Sequence, residues 1–429
     1  GLSGARGRMQ KRLDAIDERL FPMISEEETS AYNLSASREY DPHLADISSY
    51  LQNAAKFPLY TDSQLTYFPD ATLALQSMLE DVRKAQDFIF MEYHAIENAE
   101  SWIILRDILA AKVQAGVEVR VFYDDVGSIF FLNRDFRKQL QSLGIQCRVF
   151  NPVVPLLKLI LNNRDHRKIT VIDGKVGYTG GFNLANEYFN LTHPYGHWKD
   201  AGVRLTGDVV RAMTVAYLEM WNAVRSDDSD DNQFAFYLSD NPVNNTKKGF
   251  VQFYTDNPVD KKPVGEDVYL SLISQAKKYL YIMTPYLIIT DEMSRMIGLA
   301  AKRGVDVRII TPGIPDKKII YKLTRSYYAR LVFDGVRIYE YTPGFCHAKL
   351  CVTDDIAATC GTINMDYRSL YHHFEDGCLM IGCDTVAAIK SDFDQTLPVC
   401  REVTDQYRSG RSAVLRFGQL VLRLLAPLM

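Results

Sequence analysis

The sequence predicts an α/β fold built twice, each half a mixed, mostly parallel sheet flanked by helices, with the functional residues meeting at a pseudo-two-fold interface between the halves. Three observations carry this expectation. The stretch NNRDHRKITVIDGKVGYTGGFN (Asn162 to Asn183) shares its skeleton with FCHAKLCVTDDIAATCGTIN (Phe345 to Asn364): His, one residue, Lys, four residues, Asp, then a Gly-rich turn ending in Asn. Upstream of the two copies, LGIQCRVFNP and DGVRIYEYTP each read as Gly, strand, Pro. Further upstream, a buried strand, an amphipathic helix and a second strand come in the same order in both halves. Strands alternating with helices indicate α/β layers, and the repetition indicates a duplicated unit.

In chain order, MQKRLDAIDERLFPMI (Met9 to Ile24) reads as an amphipathic helix suited to a membrane interface, within an N-terminal segment of residues 1–56. AQDFIFMEYHAI is a strand, SWIILRDILAAKVQAG a helix closed by Gly116, and VEVRVFYDDVG a strand. KKYLYIMTPYLI, SRMIGLAAKRG and VDVRIITPG repeat that order. The polar stretches RSDDSDDNQ and SDNPVNNTKKG mark residues 226–248 as a linker between a first domain (57–225) and a second (249–410). The C-terminal stretch SGRSAVLRFGQLVLRLLAPLM sets Leu415, Leu422 and Leu425 on an apolar surface beside Arg411, Arg416 and Arg423. Residues 411–429 therefore read as an amphipathic helix that either lies on an anionic membrane or docks on its own domain. NPVVPLLKLILNN (Asn151 to Asn163) is a second apolar run, either an acyl-chain groove or ordinary core.

With 429 residues, 47% hydrophobic and 24% charged, the chain can bury a large core in more than one domain. A formal net charge of −4 gives no general attraction to polyanions, so nucleic acid is not an expected partner. Seven cysteines without a C-x-x-C pair fit free thiols better than disulfides or a zinc site. No uncharged apolar run has the length of a membrane span and no signal peptide is visible. The chain begins GLSGARGRMQ without an initiator Met, which raises the expectation that an N-terminal segment has been lost.

The period of two in HRKITVID places His166 and Lys168 on one face of a strand, with Arg167 and Ile169 on the other; His347 and Lys349 follow the same rule. An imidazole beside an ammonium suits a phosphate, because the Lys fixes an oxygen while the His attacks phosphorus or moves a proton. Asp173 and Asp354 fall at turn signals and are expected to shape the fold rather than act as bases. Gly180 and Gly181, and Gly361 and Thr362, lie where the backbone is expected to approach the substrate, and Asn183 and Asn364 would donate N–H to phosphate oxygen. Two His, two Lys and two Asn in one place would make a phosphodiester site in which one His attacks and the other protonates. His193 and His197 have the spacing of a helical metal pair, but Pro194 and Gly196 break any helix there, so they read as loop residues near the entrance. His372 and His373 read as packing or access residues, and His43 and His94 have no evident partner. No metal and no cofactor are expected.

These paired motifs resemble the HKD motifs of the phospholipase D superfamily. HWKDAGVRLTG, TPYLI, RSYYARLVFDGVRIYEYTPGFCHAKL and INMDYRSLYHHFE extend the resemblance, from about Phe57 onward, to bacterial cardiolipin synthases. The chain departs in having Gly181 and Thr362 where Ser is frequent and His372 and His373 where Asn is usual. The resemblance implies a metal-free phosphatidyl transfer from phosphatidylglycerol through a phosphohistidine on His166, with His347 as acid and then base, giving cardiolipin and glycerol. It assigns Asp200 to orient His166 and Glu375 to orient His347. It also implies phosphatidylglycerol, cardiolipin and an anionic membrane surface as partners, and action on the cytoplasmic side of a bacterial cell membrane, with the N-terminal anchor absent from this chain; monomer and homo-oligomer both stay open. A phospholipase D-type hydrolase with the same motifs is the alternative.

Overall fold

The computed structural model describes residues 2–61, 63–133, 135–151, 163–225, 230–241, 243 and 248–408. Among these, the strands form two large sheets with one topology. In the first, the spatial order is Ser63–Phe68, Gly202–Gly207, Val176–Gly180, Lys168–Ile172, Phe88–Tyr93, Glu118–Asp124 and Gln146–Phe150. The second repeats it with Phe250–Asp256, His373–Ile381, Ala357–Gly361, Leu350–Thr353, Tyr279–Met283, Asp306–Pro312 and Arg337–Tyr341, then adds Cys400–Glu402 at its edge. The duplication read from the motifs is therefore a duplication of the whole sheet.

The sheets are mixed, but the expectation that they are mostly parallel is corrected. Along the strand order just given, parallel pairing joins Phe88–Tyr93, Glu118–Asp124 and Gln146–Phe150, and their three counterparts, where crossover helices such as Glu100–Gln114 and Asp291–Lys302 intervene. The other neighbours along that order are antiparallel, because each motif strand returns through a tight hairpin instead of a crossover. Asp173 (φ 55°) and Asp354 (φ 56°) make those hairpins in the left-handed region. The Asp173 carboxylate accepts the backbone N–H groups of Gln86, Asp87 and Phe88; that of Asp354 accepts those of Lys277, Lys278 and Tyr279. Both are turn residues, as expected.

The helix that closes each half crosses to the other. Val209–Ala223 is buried along its whole length and packs on both its own sheet and Phe250–Asp256. Asp384–Thr396 packs on its own sheet and on Ser63–Phe68, where the Tyr67 hydroxyl donates to Asp392. One hydrophobic core runs through both halves as a result. The N-terminal helix Leu2–Leu20 does not present its apolar face to a membrane: Leu13, Ile16 and Leu20 are buried, and the helix packs against Val209–Ala223. Burying an aliphatic side chain is worth about 1.5–3 kcal/mol, so this face is already satisfied within the protein. The expected linker is anchored too, since Phe234, Tyr237 and Leu238 are buried and Asp230 pairs with Arg120. The apolar run at 152–162 and the C-terminal segment 411–429 lie outside the described residues. All seven cysteines are free thiols.

Candidate active site

Two short strand pairs between the halves determine the geometry. Arg164–Asp165 pairs in parallel with His373–Phe374, and Gly344–Cys346 pairs in parallel with His197–Lys199. The His166 N–H donates to the Phe374 carbonyl (2.9 Å), and the His347 N–H to the Lys199 carbonyl (2.7 Å). Each motif histidine therefore enters beside the carboxylate that follows in the opposite half. His166 Nδ1 lies 2.9 and 3.0 Å from the two Glu375 oxygens, and His347 Nδ1 lies 2.8 Å from Asp200 Oδ2. The expected pairing, Asp200 with His166 and Glu375 with His347, is corrected: the pairs are crossed. Similar sequence offsets suit either arrangement, and only the register of these two ladders decides.

The period-two expectation around Lys168 holds. Arg167 is fully buried on the far side among Glu92 (2.8 Å), Asp165 (3.7 Å) and Glu219 (3.6 Å), and Ile169 joins the core. Asp17 of the N-terminal helix completes that cluster by hydrogen bonding Glu219, and burial pushes its carboxyl up to about 9. Lys168 and Lys349 face the site, where each feels both Asp200 and Glu375. Lys168 Nζ donates to the His166 carbonyl (2.7 Å); Lys349 Nζ reaches the His347 carbonyl and lies 3.0 Å from each His347 ring nitrogen.

Burial dominates the titration of this site. It pushes the imidazoles down, His166 to about 3 despite Glu375 and His347 to about 4 with help from the Lys349 charge. Burial, together with the charge of Lys168, brings Lys349 down to about 7. Burial opposes ionisation of Glu375 and Asp200, yet the charge and hydrogen bond of the paired imidazole hold each below the usual carboxylate range. The resting arrangement is thus carboxylate against neutral imidazole. With Nδ1–H donated to the carboxylate, each ring keeps its lone pair on Nε2.

The residues expected to cradle the substrate have other uses. A Cβ on Gly180 would meet the Ala201 carbonyl at 2.4 Å, and one on Gly361 the Asp376 carbonyl at 2.5 Å, so these glycines permit close strand approach. A Cβ on Gly181 would fall 2.2 Å from Asp200 Oδ1, and the equivalent Thr362 donates its hydroxyl to Glu375. The Gly181 and Thr362 N–H groups are spent on the Ala201 and Asp376 carbonyls (both 3.0 Å), so neither turn offers them to an anion. Asn183 accepts from the Ala95 N–H and donates to the Tyr188 hydroxyl, whereas Asn364, 5% exposed, leaves its side-chain oxygen without a partner. His197 is not a loop residue: it starts a cross-half strand, and its Nδ1 lies 2.9 Å from the Tyr341 hydroxyl.

Several site residues were not legible in the sequence. Trp198 Nε1 donates to Asp200 (3.1 Å). Asp376 accepts the Lys168 N–H and the Thr179 hydroxyl across the halves, and burial pushes its carboxyl up to about 7. The His94 ring lies 5.0 Å from that of His166 and its Nδ1 lies 2.7 Å from the Asp165 carbonyl oxygen. The one available signal was adjacency, since Trp198 and Asp376 flank the candidate carboxylates in HWKD and FEDG. Among the described residues, His166, His373 and Glu375 bring ligand atoms within 4.8 Å of one another, the one trio there that could hold a metal ion.

A family model described as "Cardiolipin synthase, PLD-like domain" matches residues 78–198 and again 269–397, one match for each half. The chain belongs to the cardiolipin synthase family. Within it, a cardiolipin synthase of Staphylococcus aureus is 33% identical, covering 96% of this chain and 82% of its own. One of Alkalihalophilus pseudofirmus is 31% identical, with 96% and 81% covered. An uncharacterized protein of Streptococcus mutans is 43% identical, with 96% and 86% covered. A crystal structure of phosphatidylserine synthase from Haemophilus influenzae matches with a TM-score of 0.65 at 15% identity, covering 89% of this chain and 99% of that one, and so shares the fold. The family's two-copy domain thus corresponds to the two sheets, and the crossed histidines lie between them.

Proposed function

We propose that this enzyme is a cardiolipin synthase that moves a phosphatidyl group from one phosphatidylglycerol to another, releasing glycerol. The observation that carries the reading is the crossed pair of buried histidines, each presenting Nε2 to one site that also holds two lysines. His166 Nε2 attacks phosphorus, the bond from phosphorus to the glycerol oxygen breaks, and the departing oxygen takes a proton from His347. His347 then removes the hydroxyl proton of a second phosphatidylglycerol, whose oxygen attacks phosphorus and breaks the bond to His166. Lys168 and Lys349, which face the site, would hold the phosphoryl oxygens. Burial keeps His347 neutral at rest, and the negative charge of an entering phosphodiester acts the other way, so its protonation is coupled to substrate entry.

The neighbours of the two histidines support different roles for them. Both lysines reach the carbonyl of their own histidine, but Lys349 Nζ also lies 3.0 Å from each His347 ring nitrogen, where its charge favours release of the His347 proton. Within this proposal His347 moves the proton and His166 is the nucleophile. On this reading the protein works at a bacterial cell membrane, on lipids of the leaflet it faces. The test is a product analysis by mass spectrometry, with purified protein, phosphatidylglycerol in mixed micelles and chelator present. Cardiolipin with one glycerol per turnover is expected; phosphatidic acid alone would make water the acceptor and the enzyme a hydrolase.

A further inference from the structure

Two surface stretches, one beside each histidine, expose large apolar side chains. The first follows the strand Glu118–Asp124, whose last residue accepts the Asp165 N–H (3.0 Å) immediately before His166. It exposes Val126 (39%), Ile129 (47%) and Phe130 (94%) within five residues. Its Gly127 is packed so closely on His94 that a Cβ there would lie 2.7 Å from the imidazole, and that ring in turn faces His166. The second stretch follows the pseudo-equivalent strand Asp306–Pro312, and its Ile314 N–H donates to the Gly344 carbonyl (3.1 Å), three residues before His347. It exposes Ile314 (38%) and Ile319 (57%), the latter on the helix Lys318–Ser326.

Single exposed apolar residues are ordinary, but clusters at symmetry-related positions beside a catalytic pair need an occupant. We infer that these two stretches dock the enzyme on an anionic lipid surface, with Val126, Ile129, Phe130, Ile314 and Ile319 entering the interface. The charge around the second stretch complements an anionic lipid surface. Lys317, Lys318 and Lys322 are exposed around Ile319, the mixture of basic and aliphatic groups that an anionic interface holds. Placement supplies a reason: a lipid drawn partly out of the leaflet between these stretches meets the histidines without its acyl chains leaving an apolar environment. The inference rests on the phosphatidyl-transfer reading for the identity of that lipid, but not for the docking itself.

The test uses the full chain and vesicles of phosphatidylcholine with or without phosphatidylglycerol. Ile129→Ser with Phe130→Ser should weaken sedimentation with phosphatidylglycerol vesicles about tenfold, and Lys317→Gln, Lys318→Gln and Lys322→Gln together should do so at low salt but not at high salt. Turnover of a short-chain, water-soluble phosphatidylglycerol should be unchanged in both. Phe130→Trp adds a direct readout, because the native Trp102, Trp198 and Trp221 are 0%, 5% and 2% exposed: lipids brominated on the acyl chain should quench the new emission. Unaltered sedimentation of both variants, or emission from Trp at this position that is not quenched in bound protein, would overturn the proposal. Weakened sedimentation in a protein that turns over neither lipid would uphold the docking surface and overturn the transferase reading instead.

Discussion

The two half-sites share a plan and differ in the groups that hold it. His166 is oriented by Glu375, which takes a hydroxyl from Thr362; His347 is oriented by the shorter Asp200, which takes the indole N–H of Trp198. At the position equivalent to Thr362 stands Gly181, where a Cβ would collide with the Asp200 carboxylate. A carboxylate one methylene shorter is reached by closer backbone and supported from a different direction. Both lysines reach the carbonyl of their own histidine, but only Lys349 also lies 3.0 Å from the ring nitrogens. The proposed reading gives these two otherwise similar histidines different tasks, attack for His166 and proton transfer for His347.

The comparison breaks most visibly at the histidines. His166→Ala and His347→Ala should each lower turnover by about 10⁴-fold or more at unchanged melting temperature, and activity in either variant above a hundredth of wild type would contradict a two-histidine mechanism. Next are the carboxylates, for which Glu375→Gln and Asp200→Asn should each cost about 10²–10⁴-fold. Because the pairs are crossed, a double-mutant cycle should show coupling of Glu375 with His166 and of Asp200 with His347; coupling within each half would refute the register described above.

A smaller effect concerns pH. Burial brings Lys349 down to about 7, so its ammonium is present below that pH and lost above it, and kcat/KM should fall as pH rises through 7. Lys349→Arg should move that alkaline limb upward; a limb that stays in place would remove Lys349 from phosphate binding. The same shifts bear on stability. Between pH 7 and about 10 the unfolded chain carries a lysine proton that the native state lacks, so this group makes stability rise with pH. The histidines, lowered to about 3 and about 4, make stability fall as pH drops below about 6.5, and chemical denaturation across that range should be flatter in His166→Ala with His347→Ala. The smallest effect is expected from Thr362→Val and Trp198→Phe. Each removes one hydrogen bond to a buried carboxylate and should cost about tenfold in kcat, Thr362→Val through His166 and Trp198→Phe through His347.

Much of this architecture could be read from the sequence because duplication prints each element twice. The motif strands, the hairpins at Asp173 and Asp354, and the inward lysines all follow from period-two patterning and turn chemistry. What could not be read is set by pairing between distant segments. No local pattern tells Arg164–Asp165 to lie beside His373–Phe374, and with that register unknown Asp200 and Glu375 were assigned to the wrong partners. The parallel character of the sheets was overestimated because the hairpin at each motif strand outweighs the crossover helices. Gly180 and Gly361 looked like anion cradles because glycine allows close approach of any backbone, here a neighbouring strand.

The central claim is that His166 alone carries the phosphatidyl group. The direct test is to trap the intermediate, using a phosphatidyl ester of a good leaving group that departs without a proton, and to map the adduct by mass spectrometry at alkaline pH. The account predicts a phosphohistidine at His166 in the wild type, its persistence in His347→Ala, and its absence in His166→Ala. An adduct on His347, or cardiolipin formed without any adduct, would contradict it.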